Sequence, residues 1–181
     1  MTIVWAENGG IIGRGATGVP FDAKGGTAIS LHDAQTILKF QGTTIRRGDI
    51  LVFRTGWVDW YKTTGPSTRH DVLCVQNEPG AHRFIGLKSE ETFVEWLWDN
   101  RIAAVAGDQP AFECTPPPDD WFGWLHEHLL AGLWCPIGEQ WDTDGLALAC
   151  RVKGRYSFLL SSCPLVFDGG AASTANAIAI L

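Results

Sequence analysis

Ile50-Leu51-Val52-Phe53-Arg54-Thr55-Gly56-Trp57 decides how this chain is read. Four apolar residues in a row follow the turn Arg46-Arg47-Gly48-Asp49. They have strand length and no alternation, the pattern of a strand buried on both faces. A second such run, Ile102-Ala103-Ala104-Val105-Ala106-Gly107, comes straight after a helical pattern opened by Ser89-Glu90-Glu91 and lined by Phe93, Trp96 and Leu97. Helix, short turn and buried strand make an α/β unit. Ser30 to Gln41 reads as a helix with Ser30 as N-cap, Asp33 three residues on, an apolar stripe of Leu31, Ala34, Ile37 and Leu38, and Gly42 as its stop. Thr63 to Gly80 reads as a polar loop, and Thr115-Pro116-Pro117-Pro118 as extended. Asp119 or Asp120 is expected to cap a helix running to about Ala131, and Asp144 one running through Lys153. Tyr156 to Ser162 is expected as a strand, continued or paired by Pro164 to Phe167, with a last strand at Ala177 to Leu181. The expected class is α/β, one domain over residues 1–181.

Composition bounds the function. The 181 residues are 45% hydrophobic and 19% charged, with a net charge of −6. That supports a packed core and leaves no basic footprint for nucleic acid or an anionic membrane. The apolar runs fall well short of the roughly 18 residues of a membrane helix, and Met1 to Gly10 has no secretory pattern. The five cysteines, Cys74, Cys114, Cys135, Cys150 and Cys163, are irregularly spaced with no CxxC pair. They read as reduced thiols of a cytoplasmic protein rather than a zinc cage. Cys135 is the best placed of them for a nucleophile.

Candidate chemistry gathers at few places. Open sheets bind ligands beyond the carboxyl ends of their strands, which singles out Arg54 and Trp57 after the first buried strand and Asp108 and Glu113 after the second. His126 and His128 are two apart, so on a helix they point about 200° apart. His126, a turn from Phe122 and from Leu129 and Leu130, is the inward one. Glu139 in Pro136-Ile137-Gly138-Glu139 is a carboxylate in an apolar segment, costly unless paired or ligated. His126 and Glu139 could share a divalent ion, but two ligands do not make a metal site. Gly9-Gly10-Ile11-Ile12-Gly13-Arg14-Gly15 is not a phosphate loop, although Arg14 could contact an anion. Nine tryptophans suit an aromatic pocket wall for a small molecule. Trp57 and Trp134 are candidates for substrate contact, with Trp96 and Trp98 as further core or wall.

Several stretches together resemble the cyclase family, which includes the bacterial kynurenine formamidases and related fungal proteins. They are Gly48 to Trp57, Phe84-Ile85-Gly86-Leu87, Trp96-Leu97-Trp98, Ala104 to Glu113, Leu125-His126-Glu127 through Glu139, and Gly169-Gly170 to Ile180. The fungal branch is the most similar. The resemblance implies a swivelling β/β/α fold, a homo-oligomer, and divalent-metal-dependent hydrolysis of an amide or lactone with zinc or manganese. His126 and Glu139 match the family's later metal ligands. Its main metal motif, His-x-Gly-Thr-His-x-Asp followed by another His, does not occur in this chain, so the domain reads as shortened at its N-terminus. Three expectations stay open. One is an enzyme without metal, using His126, Glu139, Asp108 or Glu113 in acid/base cyclisation, isomerisation, dehydration or hydrolysis of a natural-product-type molecule. The others are a non-catalytic binding protein and a fragment of a metal hydrolase.

Overall fold

The computed structural model describes residues 2–5, 25–74, 82–117 and 121–181. Its centre is a parallel four-stranded sheet of β1 (Thr2–Trp5), β3 (Ile50–Arg54), β5 (Ala104–Gly107) and β6 (Ile137–Gly138), in the order β1-β3-β5-β6. The two runs expected as buried strands are neighbours, with Leu51 opposite Val105 and Val52 opposite Ala106. Side chains alternate across a strand, so Leu51, Phe53 and Val105 enter one core with Ala34, Ile37, Phe93 and Leu97. Val52 and Ala106 face the opposite side, against Cys150 and Phe158. Both faces are covered, which is why these strands carry no polar alternation. Phe53, Phe93 and Phe112 meet in tilted and edge-on pairs, with ring centroids 5.6 to 6.3 Å apart. Each such ring contributes on the order of 2–3 kcal/mol by burial.

α1 (Leu31–Phe40) forms as its sequence dictates. Ser30 accepts from the Asp33 amide and Asp33 accepts from the Ser30 amide, a complete capping box. Gly42, at φ +61°, closes the other end, with the Thr43 N–H donating to the Leu38 carbonyl. A second, two-stranded parallel sheet pairs β2 (Ala28–Ile29) with β4 (Gly86–Leu87). Leu87 also bridges Glu113, and Phe84 bridges Thr115, so the segment following β5 is laced to the small sheet.

Five expectations change. The stretch from Thr63 is not all loop: after α2 (Trp57–Thr63) the chain forms α3 (Pro66–Leu73). Proline at the first helical position needs no N–H there, so Pro66 starts a helix rather than preventing one. The helix expected up to Ala131 begins only at Leu125, after Gly123 at φ +68°, and continues as a π-helix, Glu127–Gly132; Asp119 and Asp120 lie outside the described residues. α4 (Glu91–Asp99) matches its pattern. α5 (Asp144–Lys153) has Thr143, not Asp144, at its N-cap, because the Asp144 carboxylate is drawn to Arg54 and Lys62. β7 (Leu159–Ser161) is shorter than expected and pairs antiparallel with β8 (Ile178–Ile180). Pro164 to Phe167 is not a strand; Leu165, Val166 and Phe167 are exposed. No helix among the described residues is long and apolar enough to cross a membrane.

Candidate active site

Three parallel strands end side by side, and the chain beyond them carries the acidic residues. Asp108 follows β5 directly and Glu139 follows β6. Glu113 lies farther along the segment after β5, at the bridge to Leu87. His126 stands at the entry to the π-helix.

Glu113 is 0% exposed. Its two carboxylate oxygens lie 2.8 and 2.7 Å from His126 Nδ1, and one of them also accepts from the His126 backbone N–H at 3.2 Å. Glu139 meets the other ring nitrogen, with Oε1 3.3 Å from Nε2. The same Oε1 accepts from the Phe112 backbone N–H at 2.8 Å. The imidazole is thus gripped on both sides by carboxylates. The Glu113 bond first, and the Glu139 bond second, push the His126 pKa up to about 10, against the opposing effect of burial. Both carboxylates favour the protonated ring. The two histidines point apart, as their spacing predicts, and both are half-buried; His126 is the one that meets the carboxylates. His128 instead stacks on Phe122 at 4.0 Å and donates from Nε2 to the Phe122 carbonyl.

Asp108 is not part of this set. It is fully buried and saturated: Oδ1 accepts from the Thr55 N–H at 2.6 Å and the Thr55 hydroxyl at 2.8 Å, and Oδ2 from the Gly56 N–H at 2.9 Å. Burial pushes its pKa up against those bonds. Asp108 bolts the end of β3 to the end of β5, and the expectation of a catalytic Asp108 gives way to that role. Asp108→Ala would leave two buried amides and a hydroxyl without their acceptor, at about 1–3 kcal/mol for each stranded group. We expect a loss of roughly 3 kcal/mol or more in urea unfolding, and an unchanged midpoint would contradict the bolt.

The other expected substrate contacts are also redirected. Arg54 shares the strand face of Val52, away from Phe53 and Phe112. It is buried, and Nη2 donates to Asp144 Oδ1 at 2.8 Å, so it locks α5 to the sheet. Trp57 is buried in the core, stacked on Tyr61 at 5.4 Å with the Phe84 ring edge-on at 6.1 Å. Trp134 is 87% exposed and lies beside Ile102, Ala103 and Cys135, at the amino end of the sheet, opposite the edge that carries Glu139. Arg14 lies outside the described residues. Burial raises the Cys135 thiol pKa and takes those of Cys114 and Cys150 to about 11, which suppresses the thiolate a nucleophile requires.

Two supporting groups escape a reading of the sequence. The Phe112 N–H that holds Glu139 is a backbone group, with no side-chain signal. Gly86 is different. A Cβ there would fall inside the carbonyl of Glu113 and the amide of Cys114. A lone glycine between apolar Ile85 and Leu87 is the mark of such a close backbone approach.

His126 Nε2 and Glu139 are the two donors here that could face a divalent ion, Glu113 being taken by Nδ1. Among the described residues no group of three or more His, Cys, Asp or Glu is arranged to hold one. Two donors leave a shell of about four incomplete, so the described residues do not by themselves fit a metal centre.

Residues 14–114 match the profile of a family described as "Putative cyclase"; His126 and Glu139 fall beyond that segment. A crystal structure described as that of a novel cyclase superposes on 99% of the chain with a TM-score of 0.76 and 30% identity. The chain spans about half of that protein's length, 52%. No protein of curated function matches it.

Proposed function

This chain belongs to the cyclase family, and from that premise we propose that it is an acid–base enzyme acting on a small molecule, with His126 as proton donor, Glu139 as proton acceptor and Glu113 as the residue that positions the ring. One observation carries the reading: a wholly buried carboxylate clamps Nδ1 while Nε2 is turned to a second carboxylate at 3.3 Å. An imidazolium beside a carboxylate can give a proton to one substrate atom and take one from another. Cyclisation, isomerisation, dehydration and the hydrolysis of an amide or lactone all require that pair of transfers. The Phe112 N–H occupies Glu139 Oε1, which leaves Oε2 as the oxygen to receive a proton. Substrate entering between the two would take the Nε2 proton that Glu139 otherwise shares. Glu113 acts through the ring: it holds the orientation and balances its charge. The swivelling β/β/α arrangement and a homo-oligomer belong to the same proposal, as features of the family.

The test uses an aryl formamide and a small lactone as substrates. His126→Ala and Glu139→Gln are each expected to lower kcat/KM by about 10²- to 10⁴-fold, with far-UV circular dichroism unchanged. Full activity in His126→Ala overturns the proposal. A stoichiometric zinc or manganese ion in the purified protein, found by elemental analysis, would replace it with a metal-dependent reading in which His126 Nε2 and Glu139 are the donors contributed by the described residues.

A further inference from the structure

Outside the His126 site, three tryptophans stand on the surface: Trp98, Trp121 and Trp134, exposed by 53%, 81% and 87%. Trp98 was expected in the core or a pocket wall; on α4 its neighbour Leu97 takes the inward position instead. The three border two adjoining grooves that share Trp98 and Leu133. One, of about 250 Å³, runs toward Trp134 and Ile102. The other, of about 520 Å³, runs toward Trp121 and Phe122. Single exposed apolar residues are ordinary, but three indoles bordering two grooves joined at Trp98 and Leu133 make a patch of the kind that marks an interaction site. Tryptophan is also among the residues that dominate binding energy when a partner covers it.

The rim of the larger groove indicates what covers it. Glu91, Glu95 and Asp99 follow one another at four-residue spacing along α4, all exposed and all lining this groove. None of them takes part in an ion pair among the described residues. Like charges four apart on a helix destabilise it, and an incoming cation reverses that cost. The patch already accepts one: the Arg101 guanidinium lies 4.9 Å from the Trp98 ring centroid. Its floor is braced by His128, which stacks on Phe122 and is hydrogen-bonded to the Phe122 carbonyl.

We infer that this groove docks a basic, arginine-containing segment of a partner protein. Its guanidinium groups lie against Glu91, Glu95 and Asp99 and on the Trp121 face, and an apolar side chain enters between Trp98 and Leu133. This surface is separate from the proposed proton-transfer site.

A short synthetic peptide alternating arginine with leucine, titrated against the whole chain, tests the inference through tryptophan fluorescence and calorimetry. Saturable binding is expected, weakened about tenfold or more by Trp98→Ala and by Trp121→Ala. A triple variant, E91Q with E95Q and D99N, is expected to weaken it and flatten its salt dependence. The matching glutamate–leucine peptide is not expected to bind. Binding indifferent to both tryptophan variants would reduce the effect to attraction by the net negative charge and overturn the inference. So would absence of saturable binding. Self-association in sedimentation that both tryptophan variants abolish, without peptide binding, would assign the patch to a second copy and overturn it as well. All substitutions are at exposed positions, and circular dichroism verifies that the variants are folded.

Discussion

Gly86→Ala is expected to lower the melting temperature by roughly 10 °C and to abolish the His126 site in whatever fraction stays folded. The added Cβ would occupy space held by the Glu113 carbonyl and the Cys114 amide. Neither is the far end of a flexible side chain, so the strand itself must move. Moving it breaks a ladder. Leu87 N–H donates to the Phe112 carbonyl at 3.0 Å, Cys114 N–H to the Leu87 carbonyl at 2.8 Å, and Phe84 and Thr115 exchange bonds of 3.1 and 3.0 Å. Overpacking costs about 1–3 kcal/mol, and a stranded buried amide or carbonyl adds about 1–3. We expect about 3–4 kcal/mol in total, and a domain of this size loses some 2–4 °C per kcal/mol. Glu113 rides on the displaced segment, so its carboxylate leaves Nδ1 at the same time. Thermal unfolding measures the first effect and the His126 ring titration the second. A melting temperature within about 2 °C of the parent would show that the backbone approach is not a constraint.

Glu113→Gln is expected to cost about 10²- to 10⁴-fold in turnover while leaving the fold intact, and to lower the pH at which His126 loses its proton. The amide has the volume of the carboxylate but only one acceptor oxygen. Its NH₂ must then face either the ring Nδ1–H or the His126 backbone N–H, donor against donor. The negative charge that does most to raise His126 to about 10 is gone. The sign of the stability effect follows from linkage. The folded pKa lies above the ordinary 6.5 of histidine, so the stabilisation from this cluster is fully present below about pH 6.5 and is lost as pH rises through about 10. In Glu113→Gln that decline starts from the same pH but is smaller and is complete at lower pH. Ring resonances of His126 followed by NMR against pH, with urea unfolding at about pH 6 and about pH 9, measure both. A His126 titration identical in parent and variant would show that Glu139 alone holds the proton and would remove Glu113 from the site.

Most of what was legible in the sequence was local. The two buried strands, the Ser30–Asp33 capping box, the Gly42 stop and α5 follow from patterns contained within about a dozen residues. So does the separation of His126 from His128, because helical geometry parts two side chains two positions apart wherever the helix lies. Even where that helix proved shorter and partly of π form, the separation held. Local pattern failed where a residue had a competing partner distant in the chain: Asp144 left its own helix cap for Arg54, 90 residues away.

By itself, then, the sequence determined that this is an α/β chain of the cyclase type, with parallel strands buried on both faces and acidic residues beyond their carboxyl ends. The tertiary structure alone decided which of those acids meets the histidine. Asp108 and Glu113 come from the same loop and have the same chemistry. Asp108 falls one residue past β5, where the adjacent end of β3 presents two amides and a hydroxyl that saturate it. Glu113 falls where the chain is laced to β4 across Gly86, which carries its carboxylate to Nδ1. Trp134, near Glu139 in sequence, ends at the opposite edge of the sheet because β6 lies between them. Spacing along the chain specifies an element and a face, whereas the meeting of two loops depends on which strands are neighbours, a relation between distant segments that no local pattern encodes.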